Sequence, residues 1–227
     1  MNEWWVIRRQ PVGESDWLVD LFTRRYGRLR AIVNGRQRAN VNSRRRARAD
    51  TDQYLPDLHQ CATGEWVEKS GRVQIKIAET TLTHSLTGNA LICALYLEEL
   101  MIRLLPEREP DEMLFVLYSD TLTALAAGQR ADIWLRLFEQ RLLTHCGYGF
   151  SWSSDANGHA LHGSQSYRFI PGEGFVSAAD GFSGTVLTNI AEGEFHQPGA
   201  LAAARTILRQ AIDALLTQPL VSRELLL

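Results

Sequence analysis

The chain has 227 residues, of which 45% are apolar and 22% charged, with a formal net charge of −2, three cysteines and seven prolines. Those proportions are ordinary globular usage and exclude wholesale disorder, collagen-like repetition and a disulfide-built miniature. No apolar run approaches the roughly 20 residues that cross a bilayer, and the start, Met-Asn-Glu-Trp-Trp, lacks the basic flank of a secretory signal, so a cytoplasmic protein is expected.

The N-terminal third reads as short strands separated by turns. Trp4 to Arg8 predicts a first strand, and Ser15 to Thr23 alternates Trp17, Val19 and Leu21 with Leu18, Asp20 and Phe22. Gly27 stands where a hairpin needs a residue tolerant of positive φ. The run after it places Leu29, Ala31 and Val33 on one face and Arg28 and Arg30 on the other, which predicts a core side and a basic side. Asn34-Gly35 closes that strand. Residues 36–52 have no periodicity and read as a long cationic loop. Leu58 to Ala62 and Val73 to Ile77 supply two more strands, with Thr63-Gly64 and Ser70-Gly71 as breaks. Five short strands in the first 80 residues predict a small closed barrel of SH3 or OB type.

After residue 83 the period becomes helical. Thr87 to Leu105 carries Leu91, Leu95 and Leu100, and Pro106 stops it. Pro110-Asp111 starts a second helix with Leu114, Leu117, Leu122 and Leu125; Asp132 starts a third with Ile133, Leu137, Phe138 and Leu142. A fourth, from about Gly199 to Leu216, returns to the same bundle. Between them, residues 150–185 read as an insert with a hairpin from Tyr167 to Val176. The predicted fold class is therefore α+β, with a barrel over residues 1–80 and a helical domain over residues 81–227.

Enzymatic signatures come up short. No GxxxxGK[ST], HExxH, GxSxG or GxGxxG occurs, and the chain has only two lysines, Lys69 and Lys76. Gly181-Phe182-Ser183-Gly184 is one residue short of a nucleophile elbow. Glu98-Glu99 and Asp111-Glu112 are adjacent, so their side chains diverge by about 100° on a helix and read as helix surface and helix start. Cys146, His159 and His162 lack a convincing fourth ligand, so neither metal nor cofactor is expected, and the three cysteines read as reduced and buried. No catalytic residue is assigned.

The arginines are the strongest signal. Residues 1–50 hold 12 Arg against 5 acids, while the remainder holds 12 Lys plus Arg against 21 acids. Arg24, Arg25, Arg28, Arg30, Arg36, Arg38, Arg44, Arg45, Arg46 and Arg48 fall in 25 residues without a single Asp or Glu. Guanidinium groups pair bidentately with phosphate, so the ten are expected to contact nucleic acid. Trp17, Phe22, Tyr26 and Tyr54 are candidate stacking platforms for unpaired bases. Two other readings fit the same residues: a protein-interaction adaptor whose basic loop grips an acidic partner, and an RNA-binding barrel.

These residues also carry a resemblance. Glu14-Ser15-Asp16, Val19-Asp20-Leu21-Phe22-Thr23, Tyr26-Gly27-Arg28-Leu29-Arg30 and Asn34-Gly35-Arg36 resemble the N-terminal signature of the RecO recombination mediators. The likeness continues through Tyr96-Leu97-Glu98-Glu99-Leu100, Leu135-Arg136-Leu137-Phe138-Glu139, Gly147-Tyr148-Gly149 and Ser222-Arg223-Glu224-Leu225-Leu226. The resemblance implies an N-terminal OB barrel and a DNA-repair role in the cytoplasm, nucleoid-associated during repair. It implies binding of single- and double-stranded DNA, annealing of strands coated by single-strand binding protein, and help, together with RecR, in loading RecA, without ATP. It further implies that the helical domain binds the acidic, aromatic-ended tail of single-strand binding protein. Arg136 matches the family's tail-binding arginine, with Leu137 and Leu104 expected to form the slot for the ring. The four-cysteine zinc site that many RecO proteins carry after the Gly-Tyr-Gly motif is not present in this sequence, so the insert is expected to be held by packing or to be mobile.

Overall fold

The computed structural model describes residues 2–12, 16–34, 57–69 and 72–225. Five strands close on themselves in the order β1-β2-β3-β5-β4: β1 is Asn2–Val12, β2 Asp16–Thr23, β3 Gly27–Asn34, β4 Gln60–Lys69 and β5 Arg72–Thr83. Alternation sends Trp4, Val6, Val19, Leu21, Leu29, Ala31, Ala62, Val73 and Ile75 inward as one buried cluster. The other faces of β1 and β2 are also buried: Trp5, Ile7 and Phe22 belong to the core of the helical region. The strict two-residue period in these strands therefore separates two cores rather than core from water.

Two predicted features shift. Thr63-Gly64 is not a break; β4 runs through it, with Gly64 opposite both Asn2 and Ala78, and the irregularity appears as register shifts at Cys61/Ala62 and Glu65/Trp66. Pairing on both sides overrides the local turn signal. The expected basic outer face of β3 is covered at Arg28 by residues 105–109, the segment that leaves the first helix, while Arg30 stays exposed: the Arg108 N–H donates to the Arg28 carbonyl at 3.0 Å. Gly27 permits this approach, since at its φ of +65° a Cβ would lie 2.3 Å from the Glu109 carbonyl oxygen.

The helices are α1 Gly88–Leu104, α2 Glu112–Ala126, α3 Ala131–His145, α4 Gly184–Ala191, α5 Ala200–Asp213 and α6 Val221–Glu224. α1 stops at Leu105, which is extended because it precedes a proline. Asp111 caps α2 by accepting from the Leu114 N–H at 3.0 Å. Residues 150–185 are held by packing: β6 Ser166–Ile170, β7 Gly174–Ser177 and β8 Phe182–Ser183 form a sheet in the order β7-β6-β8. Its Phe169 and Phe175 join Phe150 and Trp152 in a ring cluster with centroids 4.6–5.9 Å apart. Those rings merge with the helical core. No helix among the described residues is long and apolar enough to cross a membrane.

Candidate functional site

Of the ten arginines singled out, Arg36, Arg38, Arg44, Arg45, Arg46 and Arg48 lie outside the described residues, as does Tyr54. The other four separate by environment. Arg28 is buried; its Nε donates to the Leu105 carbonyl at 3.0 Å and its Nη1 to Asp20 Oδ1 at 3.2 Å. Asp20, fully buried, also takes Arg8 Nε at 2.6 Å and lies 3.5 Å from Arg30 Nε. Arg30 and Arg28 both sit 3.8 Å from Glu107. Arg24 bridges Glu3 and Glu112, each at 2.9 Å. Arg24, Arg28 and Arg30 thus stitch the barrel to the segment that leads into α2, with Arg28 fully committed to that seam. Arg25 is exposed, with no partner among the described residues.

The candidate stacking rings divide in the same way. Phe22 is 1% exposed against Phe115 and Tyr118, which removes it as a platform. Trp17 lies under the Arg9 guanidinium at 4.7 Å. Tyr26 is 48% exposed and meets Trp66 edge-on at 5.3 Å.

Glu98 and Glu99 are not helix surface. Glu98 is 2% exposed, accepts from the Tyr118 hydroxyl at 3.0 Å and lies 3.3 Å from His59 Nε2. His59 stands at the root of β4 with φ +62°, and its carbonyl accepts from the His84 N–H at 3.1 Å. Burial pushes the Glu98 carboxyl well above the ordinary range, against the pull of the Tyr118 bond. Burial likewise lowers His59, with Asp57 opposing and His84 assisting. Glu99 accepts from the Ser222 N–H and hydroxyl at 2.9 and 2.6 Å, and from the Val221 N–H at 3.1 Å. It ties the C-terminal segment onto α1.

That segment forms one wall of a cavity of about 520 Å³ between α1, α3 and α5. Arg136 on α3 reaches its floor with a side chain only 10% exposed, and its Nη2 donates to Glu139 Oε1 at 2.5 Å. The Tyr96 hydroxyl donates to the same oxygen at 2.6 Å. Burial raises the Glu139 carboxyl against the charge of Arg136, and burial also raises the Tyr96 phenol. Arg205 and Arg209 of α5 and Arg223 of α6 complete the cationic lining. Arg223 bonds Asp213. Arg136 Nε and Arg223 Nη2 are buried without a hydrogen-bond partner. The arrangement suits an anion: two guanidinium groups of the lining, those of Arg136 and Arg223, are largely withdrawn from water and each keeps a donor nitrogen unpaired.

The apolar side of the cavity comes from Leu216, Pro219 and Leu220. Leu137 and Leu104, expected to form the slot, pack instead on the helical core and do not line it. The 216–220 wall has no helical period, so periodicity had no means of finding it. Among the described residues no group of three or more His, Cys, Asp or Glu is placed to hold a metal. His159 lies 3.4 Å from Asp155, and the Cys146 thiol donates to the Leu104 carbonyl at 3.4 Å.

Comparison with known proteins gives a consistent result. A family model described as Recombination protein O C terminal matches residues 85–224, and one described as Recombination protein O N terminal matches residues 3–52. The protein named DNA repair protein RecO of Pseudomonas aeruginosa (strain UCBPP-PA14) is 37% identical over 230 residues, spanning 97% of this chain and 92% of its own. That of Stutzerimonas stutzeri (strain A1501) is 38% identical over 229 residues, at 97% and 90% coverage. That of Pseudomonas entomophila (strain L48) is 42% identical over 168 residues, at 70% and 74%.

Proposed function

Since the chain belongs to the RecO family of DNA repair proteins, we propose that it is a cytoplasmic, non-enzymatic recombination mediator. It binds single- and double-stranded DNA, anneals complementary strands coated by single-strand binding protein, and with RecR helps load RecA. The observation that carries strand binding is the acid-free run of ten arginines between residues 24 and 48. Arg28 serves the fold and Arg24 is engaged by Glu3 and Glu112, which leaves Arg25, the half-exposed Arg30 and the six positions from Arg36 to Arg48 as the phosphate contacts.

Partner recruitment rests on the cavity. An acidic tail ending in an aromatic residue needs a cation for its carboxylate and an apolar slot for its ring. Arg136 supplies the first and the 216–220 wall the second.

Fluorescence anisotropy with labelled single-stranded DNA across a salt series tests strand binding. With about five phosphates neutralised, affinity falls by about two powers of ten for a fourfold rise in salt. Changing Arg44, Arg45 and Arg46 to Ala reduces that log–log slope by about 2. A flat curve with the native protein favours the adaptor reading, and stronger binding to RNA of the same sequence favours the RNA reading.

A further inference from the structure

Glu139 is 1% exposed and makes two contacts through one oxygen, the Arg136 guanidinium and the Tyr96 hydroxyl, both of which favour its charged form against burial. Its other oxygen, Oε2, is buried with no hydrogen-bond partner. An incoming carboxylate that takes the unspent donors of Arg136 therefore competes with Glu139 for the same cation. It also brings a second negative charge beside a carboxylate that is almost wholly shielded from water. Two carboxylates sharing one site do not both stay ionised.

We propose that the cavity binds its anionic ligand together with one proton, which Glu139 takes up at Oε2. The ligand's carboxylate accepts N–H bonds from Arg136 while solvent delivers a proton to Oε2, so the charge of the cavity floor is the same before and after. The groups facing Glu139 are Arg136 on α3, Tyr96 on α1 and Arg223 on α6, with Arg205, Arg209 and Asp213 of α5 and Glu224 across the opening. No histidine is among the lining residues. Asp213 is about half exposed and paired with Arg209 and Arg223, and Glu224 is exposed, so water and arginine carry their charge. Glu139 alone is both buried and left with an unpartnered oxygen in this lining. The inference rests on the tail-binding reading and adds its regulation: recruitment strengthens as pH falls.

The test is titration calorimetry of the full chain with an acidic peptide ending in Phe with a free carboxylate, between pH 6 and 8.5, in buffers of different ionisation enthalpy. The peptide's own carboxylates do not titrate in that range. Uptake approaching one proton is expected, with affinity falling up to tenfold per pH unit where uptake is complete. Glu139→Gln should bind at every pH as the native protein does at its acid limit, with no proton exchange. Tyr96→Phe, which removes a bond that favours the charged carboxylate, should move the uptake window to higher pH. Native binding without proton uptake, uptake that survives in Glu139→Gln, or a window unmoved in Tyr96→Phe overturns the inference and leaves the tail site standing. Absence of peptide binding by the native protein overturns the tail reading, and this inference with it.

Discussion

At the seam between barrel and helices, Asp20 gathers Arg8, Arg28 and Arg30, and Arg28 spends its remaining donors on the Leu105 carbonyl and the neighbourhood of Glu107. In the cavity, Arg136 is as deeply buried as Arg28, yet keeps Nε without a partner, and Glu139 keeps Oε2 likewise. Both are arginine–carboxylate networks withdrawn from water; they differ in whether donors and acceptors are used up. A saturated network joins two parts of a fold. An unsaturated one beside an opening costs stability, and its free donors are available to a ligand.

The largest test of that contrast is Asp20→Ala. Removing the acceptor leaves Arg28 buried with only the Leu105 carbonyl and the more distant Glu107, and urea unfolding should show a loss of about 3–5 kcal/mol. A loss under about 1 kcal/mol would mean that water enters the seam and that it resembles the cavity after all. Next is Arg136→Ala, which should weaken binding of the acidic peptide by about 10- to 100-fold, the worth of a hydrogen bond to a charged group. DNA affinity should stay nearly constant. Loss of both together, or a large fall in melting temperature, would place Arg136 with the saturated class.

The smallest effect concerns the Glu98–His59 contact, which belongs to the seam but resembles the cavity in one respect: His59 Nε2 is 3.3 Å from Glu98 Oε1 without an aligned hydrogen bond. Glu98 is raised in the fold, so its contribution is complete below the ordinary glutamate pKa and is lost as pH rises through the folded value. His59 is lowered, so its contribution is complete above the ordinary histidine pKa and is lost as pH falls through the folded value. Glu98→Gln should therefore gain on the native protein toward alkaline pH, and His59→Asn, which tolerates the left-handed backbone, toward acid pH. Parallel stability–pH curves for native and variant proteins would show that the pair does not titrate in the fold.

Much of the architecture is legible in local pattern. Gly27 marks its hairpin, Asp111 its cap and Pro106 the end of α1, because each acts through its own backbone or its immediate neighbours. What covers an outward face is not local. Arg28 and Arg30 alternate with core residues as a solvent-facing pair would, and only the return of residues 105–109 makes them interior or half-paired. Glu98 likewise reads as surface until β4 brings His59 over it. Ser183 reads as part of a failed hydrolase motif, whereas its hydroxyl accepts from the Val186 N–H and caps α4, a helix too short to show a period. In the cavity, Arg136 stands out by its resemblance, but the apolar wall does not, because Leu216, Pro219 and Leu220 reach it as an irregular strap anchored by Glu99.

The shared burial of Trp5, Ile7 and Phe22 has a practical consequence for anyone wishing to study the barrel in isolation. A fragment severed after Thr83 would carry two large aromatic rings and an isoleucine on its outside, with Arg28 and Arg30 stripped of their contacts to Leu105 and Glu107, and would be prone to self-association. Oligonucleotide affinities measured on such a truncate would report sticky exposed side chains as well as the arginine run. Dissecting this protein calls for point substitutions in the intact polypeptide rather than scissors.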